Sequence, residues 1–194
     1  EQTLPTDLAT LLAMLRMEDA DMREHAAAAL GRLGDTRAVE SLILVILKDG
    51  DPKVREHAAT ALGDLGDERA RTPLTQVMLE DPDDSVREHA ATAIGKTGNP
   101  ESFEVLLATM HGRDVDRVRA HAAYALGMLG DSRALAPLME ALQEGSVSMR
   151  INAAMGLGVL GAPGALDALR QAQRDPDADV RHRAAEAIRK IGRR

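Results

Sequence analysis

Val118-Arg119-Ala120-His121-Ala122-Ala123-Tyr124-Ala125-Leu126-Gly127-Met128-Leu129-Gly130-Asp131 decides the fold, because it is one of six versions of a single string. Its arginine recurs as Arg23, Arg55, Arg87, Arg119, Arg150 and Arg181, at spacings of 32, 32, 32, 31 and 31 residues. Around each arginine stands the same frame, as in Val86-Arg87-x-x-Ala90-Ala91-x-Ala93-Ile94-Gly95-x-x-Gly98. A shorter string follows most copies: Gly34-Asp35-x-Arg37-Ala38-x-x-x-Leu42, and Gly130-Asp131-x-Arg133-Ala134-x-x-Pro137-Leu138. Self-similarity at this period marks an array whose units bury their apolar faces against their neighbours.

Each unit reads as a helix pair. The first helix starts near Asp-x-Arg-Ala and carries leucines at helical spacing, such as Leu135, Leu138 and Leu142. A break follows at Asp51-Pro52, Asp81-Pro82 or Asp175-Pro176, where Asp caps and Pro suits a first turn. The second helix carries the Val-Arg frame and closes on Gly34, Gly66, Gly98, Gly130, Gly161 or Gly192, where a positive φ is expected. Three residues earlier, Gly31, Gly63, Gly95, Gly127 and Gly158 lie inside the helix. A glycine there costs about 1 kcal/mol relative to alanine, so close approach of a neighbouring helix is the expected return. Arg189 takes that place in the sixth unit, in keeping with a last layer.

These observations give an all-α, right-handed solenoid of six two-helix repeats, twelve helices in a single domain over 1–194. The repeats run approximately 4–34, 35–66, 67–98, 99–130, 131–161 and 162–192. A 44% hydrophobic fraction with no Trp, one Tyr and one Phe suits closely packed helices better than a β-sandwich. A formal net charge of −7 argues against nucleic acid as the main partner. The absence of cysteine excludes disulfides, a thiolate nucleophile and Cys-ligated zinc. No apolar run approaches the ~20 residues of a membrane helix, and no signal peptide is recognisable. A cytoplasmic, non-catalytic protein is expected. The sequence begins at Glu1, so a longer natural chain is an open reading. Leu4, Leu8, Leu11, Leu12, Met14 and Leu15 bear on the same point, being too many for one buried stripe. Either that helix meets a partner or chain precedes it.

The string Val-Arg-x-x-Ala-Ala-x-Ala-Leu-Gly-x-Leu-Gly-Asp resembles the short HEAT-like repeat named after phycobilisome lyases, over essentially residues 4–192. Relatives of that kind include adaptors, bilin-attachment factors, designed binding scaffolds and the metal-dependent deoxyhypusine hydroxylases. The resemblance implies that the Val-Arg helix lines a concave face. Its positions one, five and nine residues after the arginine then form a surface stripe. In repeats one to three the stripe is polar or small: Glu24/Ala28/Arg32, Glu56/Thr60/Asp64 and Glu88/Thr92/Lys96. In repeat six it is His182/Glu186/Lys190. In repeats four and five it turns apolar: Ala120/Tyr124/Met128 and Ile151/Met155/Val159. An apolar stripe on two adjacent repeats is what a protein or peptide groove presents, with Tyr and Met as suitable anchors. A homodimer contact and local packing are the alternatives.

Two further patterns carry expectations. His25, His57, His89 and His121 form a ladder, and three of them follow Glu24, Glu56 and Glu88. The hydroxylases bind iron through His-Glu pairs at comparable places, so a divalent transition metal is an alternative reading, with these residues as ligands. The order here is Glu-His, however, and equivalent residues of stacked repeats lie about 8–10 Å apart, against ~2 Å from each ligand to a metal. Inter-repeat hydrogen bonding of duplicated pairs is the expected role, with no cofactor. A bilin-lyase-like subunit is a further alternative, opposed by the scarcity of aromatic side chains. The repeated arginine is expected to pair with the Asp of the neighbouring Gly-Asp turn, making a ladder. The basic end, Arg181, Arg183, Arg189, Lys190, Arg193 and Arg194, reads as a polar cap, with an acidic or RNA partner as the lesser reading. No phosphate loop and no nucleophile elbow is present.

Overall fold

A computed structural model describes residues 7–193. Among them every element is helical, twelve α-helices with a 3₁₀ turn before five of them. The fold is an all-α repeat solenoid. The period that suggests one domain divides into two compact units, 1–97 and 98–194, each holding three repeats. None of the described helices is long and apolar enough to cross a membrane.

The first unit comprises α1 (Leu8–Met14), α2 (Ala20–Leu33), α3 (Val39–Lys48), α4 (Pro52–Leu65), α5 (Arg71–Glu80) and α6 (Asp84–Thr97). Its second helices stack in the order α2, α4, α6, and each first helix packs on the second helix of its own repeat. The second unit repeats the plan with α7 (Phe103–His111), α8 (Asp116–Met128), α9 (Leu135–Glu144), α10 (Val147–Leu160), α11 (Leu166–Ala172) and α12 (Ala178–Ile191). The core of the first unit is built from Leu11, Leu30, Leu42, Leu62, Leu74, Met78 and Ile94, and that of the second from Leu106, Leu126, Leu138, Leu157 and Leu169, all fully buried. Each contributes about 1.5–3 kcal/mol by leaving water. Of the first-helix leucines, Leu11 and Leu15 are buried with Met14, while Leu8 and Leu12 are half-buried; Leu4 lies outside the described residues.

Alanine and glycine let the second helices approach backbone to backbone. A Cβ placed on Gly63 would lie 2.8 Å from Ala93 Cα, and one on Gly31 or Gly158 would lie 2.9 Å from Ala61 or Ala187 Cα. At the junction of α8 and α10 the facing residue is itself glycine, Gly156, and a Cβ on Gly127 would overlap its backbone. That pair of helices therefore meets with no side-chain atom between the two glycines. The helix-closing glycines adopt left-handed φ of 63° to 72° at Gly34, Gly66, Gly98, Gly130 and Gly161. Gly192 does not; its φ is −72°, and no 3₁₀ turn follows it among the described residues.

The capping scheme differs from the expected one at two of the Asp-Pro breaks. Asp51 does cap α4, with Pro52 in the first turn. At Asp81-Pro82 and Asp175-Pro176 the cap lies two residues later: Asp83 Oδ1 accepts from Ser85 and Val86 N–H, and Asp177 Oδ1 from Asp179 and Val180 N–H. The earlier aspartate is occupied elsewhere, as described below.

Two stability outcomes follow from this packing. Gly127→Ala replaces a poor helix former with the best one, yet it is expected to destabilise by about 1–3 kcal/mol, because the methyl meets backbone that cannot rotate away. An unchanged or raised urea midpoint would show that glycine does not set the spacing. Ser102 is 2% exposed and its hydroxyl has no hydrogen-bond partner among the described residues, at the place held by buried Ala38, Ala70, Ala134 and Ala165 in other repeats. Ser102→Ala should therefore raise the midpoint, by the equivalent of about 1 kcal/mol.

Candidate functional site

The ladder arginine is placed by its helix and gripped from two sides. Its Nη1 donates to a carbonyl of its own inter-helix loop: Arg23 to Met17 O, Arg55 to Asp49 O, Arg87 to Asp81 O, Arg150 to Gly145 O and Arg181 to Asp175 O. Its other edge forms a two-pronged pair with a carboxylate of the next repeat. Arg23 binds Asp49 at 2.7 and 2.9 Å, Arg55 binds Asp81 at 2.8 and 2.9 Å, and Arg150 binds Asp175 at 2.8 and 2.9 Å. The expected arginine–aspartate ladder thus exists with a different aspartate. The acceptor is the aspartate of the inter-helix loop, because the arginine sits in the first turns of its helix, at the end where that loop enters.

The Gly-Asp turn does separate work. Asp35, Asp67 and Asp131 cap the 3₁₀ turns and pair with Arg37, Arg69 and Arg133 two residues on. Arg69 also reaches Glu40, and Arg133 reaches Glu104 and lies 4.1 Å above the Phe103 ring. The arginines and glutamates are exposed and the aspartates only half-buried, so these ion pairs add little. One rung of the main ladder changes: Gly145 stands at the loop position after repeat four and offers no carboxylate, and Arg119 Nε donates to Met110 O.

The histidine position has a local explanation. Nδ1 of His57, His89 and His121 contacts the carbonyl four residues earlier, on Lys53, Ser85 and Arg117. A carbonyl only accepts, so Nδ1 carries the proton. At the same place in α10, Asn152 Nδ2 donates to Ser148 O, preserving the bond without an imidazole. Across repeats, His57 Nε2 lies 3.7 Å from Glu24 Oε1, beyond hydrogen-bond length. His25, Glu56 and Glu88 are half-buried on the same face. Among the described residues no three His, Asp or Glu side chains come together in a way that could hold a metal ion. The donor set does not fit the transition-metal site of the alternative reading.

The apolar stripe is on one face of two adjoining helices. Tyr124 and Met128 of α8, and Ile151, Met155 and Val159 of α10, are each half-buried, so each keeps surface in solvent. Ala120, grouped with them by its position, is fully buried and offers a partner no surface. These side chains stand on helices that meet backbone to backbone at Gly127 and Gly156.

Sequence reasoning missed a groove of about 250 Å³ in the first unit. It is lined by Leu12, Leu15 and Arg16 after and within α1 and by Leu44, Val45 and Lys48 of α3. Leu44 is 64% exposed there. Its signals were the surplus of leucines in the first helix, Leu12 and Leu15 among them, and a leucine lying outside the buried Leu42, Val45 and Ile46 stripe.

With the geometry in hand, comparison with known proteins gives the class. HEAT repeats match residues 8–90, 72–150 and 140–194, and the chain belongs to that family. Among curated proteins no sequence matches closely enough to be called a relative. Solved structures share the fold. The Escherichia coli protein YibA is 20% identical with a TM-score of 0.64, over 96% of this chain and 72% of that one. The complex of CpcE and CpcF of phycocyanin lyase from Nostoc sp. PCC7120 is 20% identical with a TM-score of 0.59, over 98% and 97%. A designed armadillo repeat protein in complex with the peptide (KR)4 is 18% identical with a TM-score of 0.59, over 95% and 99%.

The ladder predicts acid sensitivity. Burial pushes the Asp49 carboxyl up, but hydrogen bonds from Arg23 and from Asp51 N–H outweigh it and leave it below its ordinary value. The Arg150 bond lowers Asp175 against a smaller effect of burial. Asp35 and Asp67 are lowered to about 2, chiefly by the side chains of Arg37 and Arg69. Between these values and the unfolded carboxylate pKa of ~3.9, the unfolded chain holds more protons. The ladder's stabilisation is therefore complete above the unfolded carboxylate pKa and is lost as pH falls below it, through the lowered values of Asp49 and Asp175. Denaturant midpoints taken down this range should fall. Asp49→Asn should cost about 2–3 kcal/mol at pH 6 and flatten the acid loss; a variant keeping the full slope would remove Asp49 from the account.

Proposed function

We propose that this HEAT-repeat scaffold works by binding a protein or peptide over the exposed face of α8 and α10, with no chemistry of its own. The observation that carries the reading is the change of the stripe from Glu/Thr/Ala in α2, α4 and α6 to Tyr124, Met128, Ile151, Met155 and Val159. These five are half-buried rather than core, while the residues that hold the repeats together sit at other helical positions. The apolar surface that such side chains leave open to solvent gains only when something else covers it. Tyr and Met suit that use: one is a rigid anchor with a polar tip, the other adapts to irregular surfaces. Among proteins of similar fold, one is a designed armadillo protein in complex with a peptide and another a complex of two chains, which agrees with recognition along such a stack.

The double variant Tyr124→Glu with Met155→Glu tests it. Both positions are half-exposed, so helicity and thermal midpoint are expected to stay near those of the parent. Proteins captured by the immobilised parent should be lost from the variant, and light scattering should show whether self-association accounts for the contact. Identical capture and identical mass in a folded variant would remove the stripe from the function.

A further inference from the structure

The outermost row of the stripe, nine residues after each ladder arginine, reads Arg32, Asp64, Lys96 in the first unit and Met128, Val159, Lys190 in the second. Lys96 shows what a lysine does there. Its stem crosses the inner glycine of the preceding repeat, with Cδ 3.3 Å from where a Gly63 Cβ would stand, and its Nζ donates to Asp64 Oδ1 at 2.6 Å. Lys190 follows the same track, its Cδ 3.7 Å from the corresponding point on Gly158. At the end of that track stands Val159 in place of an aspartate, and an isopropyl group cannot answer an ammonium.

The other carboxylate on this part of the stripe, Glu186, is already held. Arg183 Nη1 donates to its Oε2 at 2.9 Å, and His182 Nε2 lies 3.5 Å from Oε1. Arg189 and Arg193 are exposed beyond Lys190 and add positive charge at the same end of α12. An ammonium thus stands at the border of the apolar patch, with no ion pair among the described residues, while its counterpart in the first unit has one.

Resting on the reading of the patch as a recognition surface, we infer that its partner is an acidic-ended apolar segment of a protein. The apolar side chains cover Tyr124, Met128, Ile151 and Met155, and a carboxylate following them meets Lys190. The partner's carboxylate then takes the place that Asp64 holds for Lys96. Covering the patch removes water from around that pair and strengthens it, so charge selects the direction in which the segment lies.

Tyr124 makes the test label-free, since the chain has no other tyrosine and no tryptophan. Three synthetic peptides lacking aromatic residues share the core Leu-Ala-Ile-Leu-Met and end in three glutamates, three glutamines or three lysines. Each is titrated into the full chain while tyrosine emission is followed. The glutamate peptide should bind about tenfold more tightly than the lysine peptide, with the advantage shrinking as salt rises from about 50 to about 500 mM. Lys190→Met should abolish the difference and leave the glutamine peptide unaffected; Lys190→Glu should reverse the order. Equal binding of all three tails, or a preference that survives Lys190→Met, overturns the acidic-segment inference and leaves the patch as a recognition surface. If no peptide changes the emission of Tyr124, both the inference and the reading beneath it fail. A concentration-dependent dimer abolished by Tyr124→Glu would assign the patch to a second copy and overturn the inference as well.

Discussion

The spacing of the second helices within each unit governs everything built on it. Two helices with ordinary side chains between them sit about 8–10 Å apart. Here an inner glycine of one helix faces an alanine of the next, and at Gly127 and Gly156 glycine faces glycine. The cost is roughly 1 kcal/mol of helix propensity per glycine. The return is a backbone approach that larger residues would forbid. Because the period is nearly constant, the same contact recurs from layer to layer of a unit without a new solution each time.

That regular spacing is what lets an arginine reach one repeat forward with fixed geometry. The guanidinium of Arg55 lies between its own loop carbonyl and the Asp81 carboxylate, with both side chains of the pair about nine-tenths buried. A planar fork suits such a place, because both prongs bind without further adjustment. The aspartate is useful beyond the ion pair. Asp49, Asp81 and Asp175 each accept the N–H two residues on, which shapes the loop and sets Asp51, Asp83 or Asp177 to cap the following helix. One interaction thus joins inter-repeat registry to helix initiation. Arg119 shows the dependence in reverse: with Gly145 in the loop, the arginine turns back to a carbonyl of its own repeat.

Once glycine, alanine and arginine have taken the main packing positions, the stripe one, five and nine residues after the arginine is less constrained, although Ala120 is buried in it and Lys96 joins two layers through Asp64. It is therefore the place where repeats can differ without loss of fold. The first unit fills it with groups that answer one another, as Lys96 answers Asp64. The second fills it with the apolar Tyr124, Met128, Ile151, Met155 and Val159. Beside the stripe, His57, His89 and His121 each bond to the carbonyl one turn back, and Asn152 makes the same bond without an imidazole.

The sequence alone determined the repeat, the helix pairs, five left-handed closing glycines and the purpose of the inner glycine. All of these are local patterns, dictated by helix geometry and by the conformational freedom of single residues, and periodic copying makes them legible. Tertiary structure decided whatever depends on a neighbour brought in from another repeat. Which aspartate meets the arginine was one such choice: Asp49 and not Asp35 is its partner, because helix entry faces helix entry when the layers stack. Ala120 is buried and Tyr124 half-exposed, although both lie on the same nominal stripe, and Leu44 of the third helix joins the surplus leucines Leu12 and Leu15 in one groove, a meeting that spacing along either helix does not give. A pattern along one helix fixes which residues share a face; only the distance and tilt of the next helix decide how much of that face remains open to solvent.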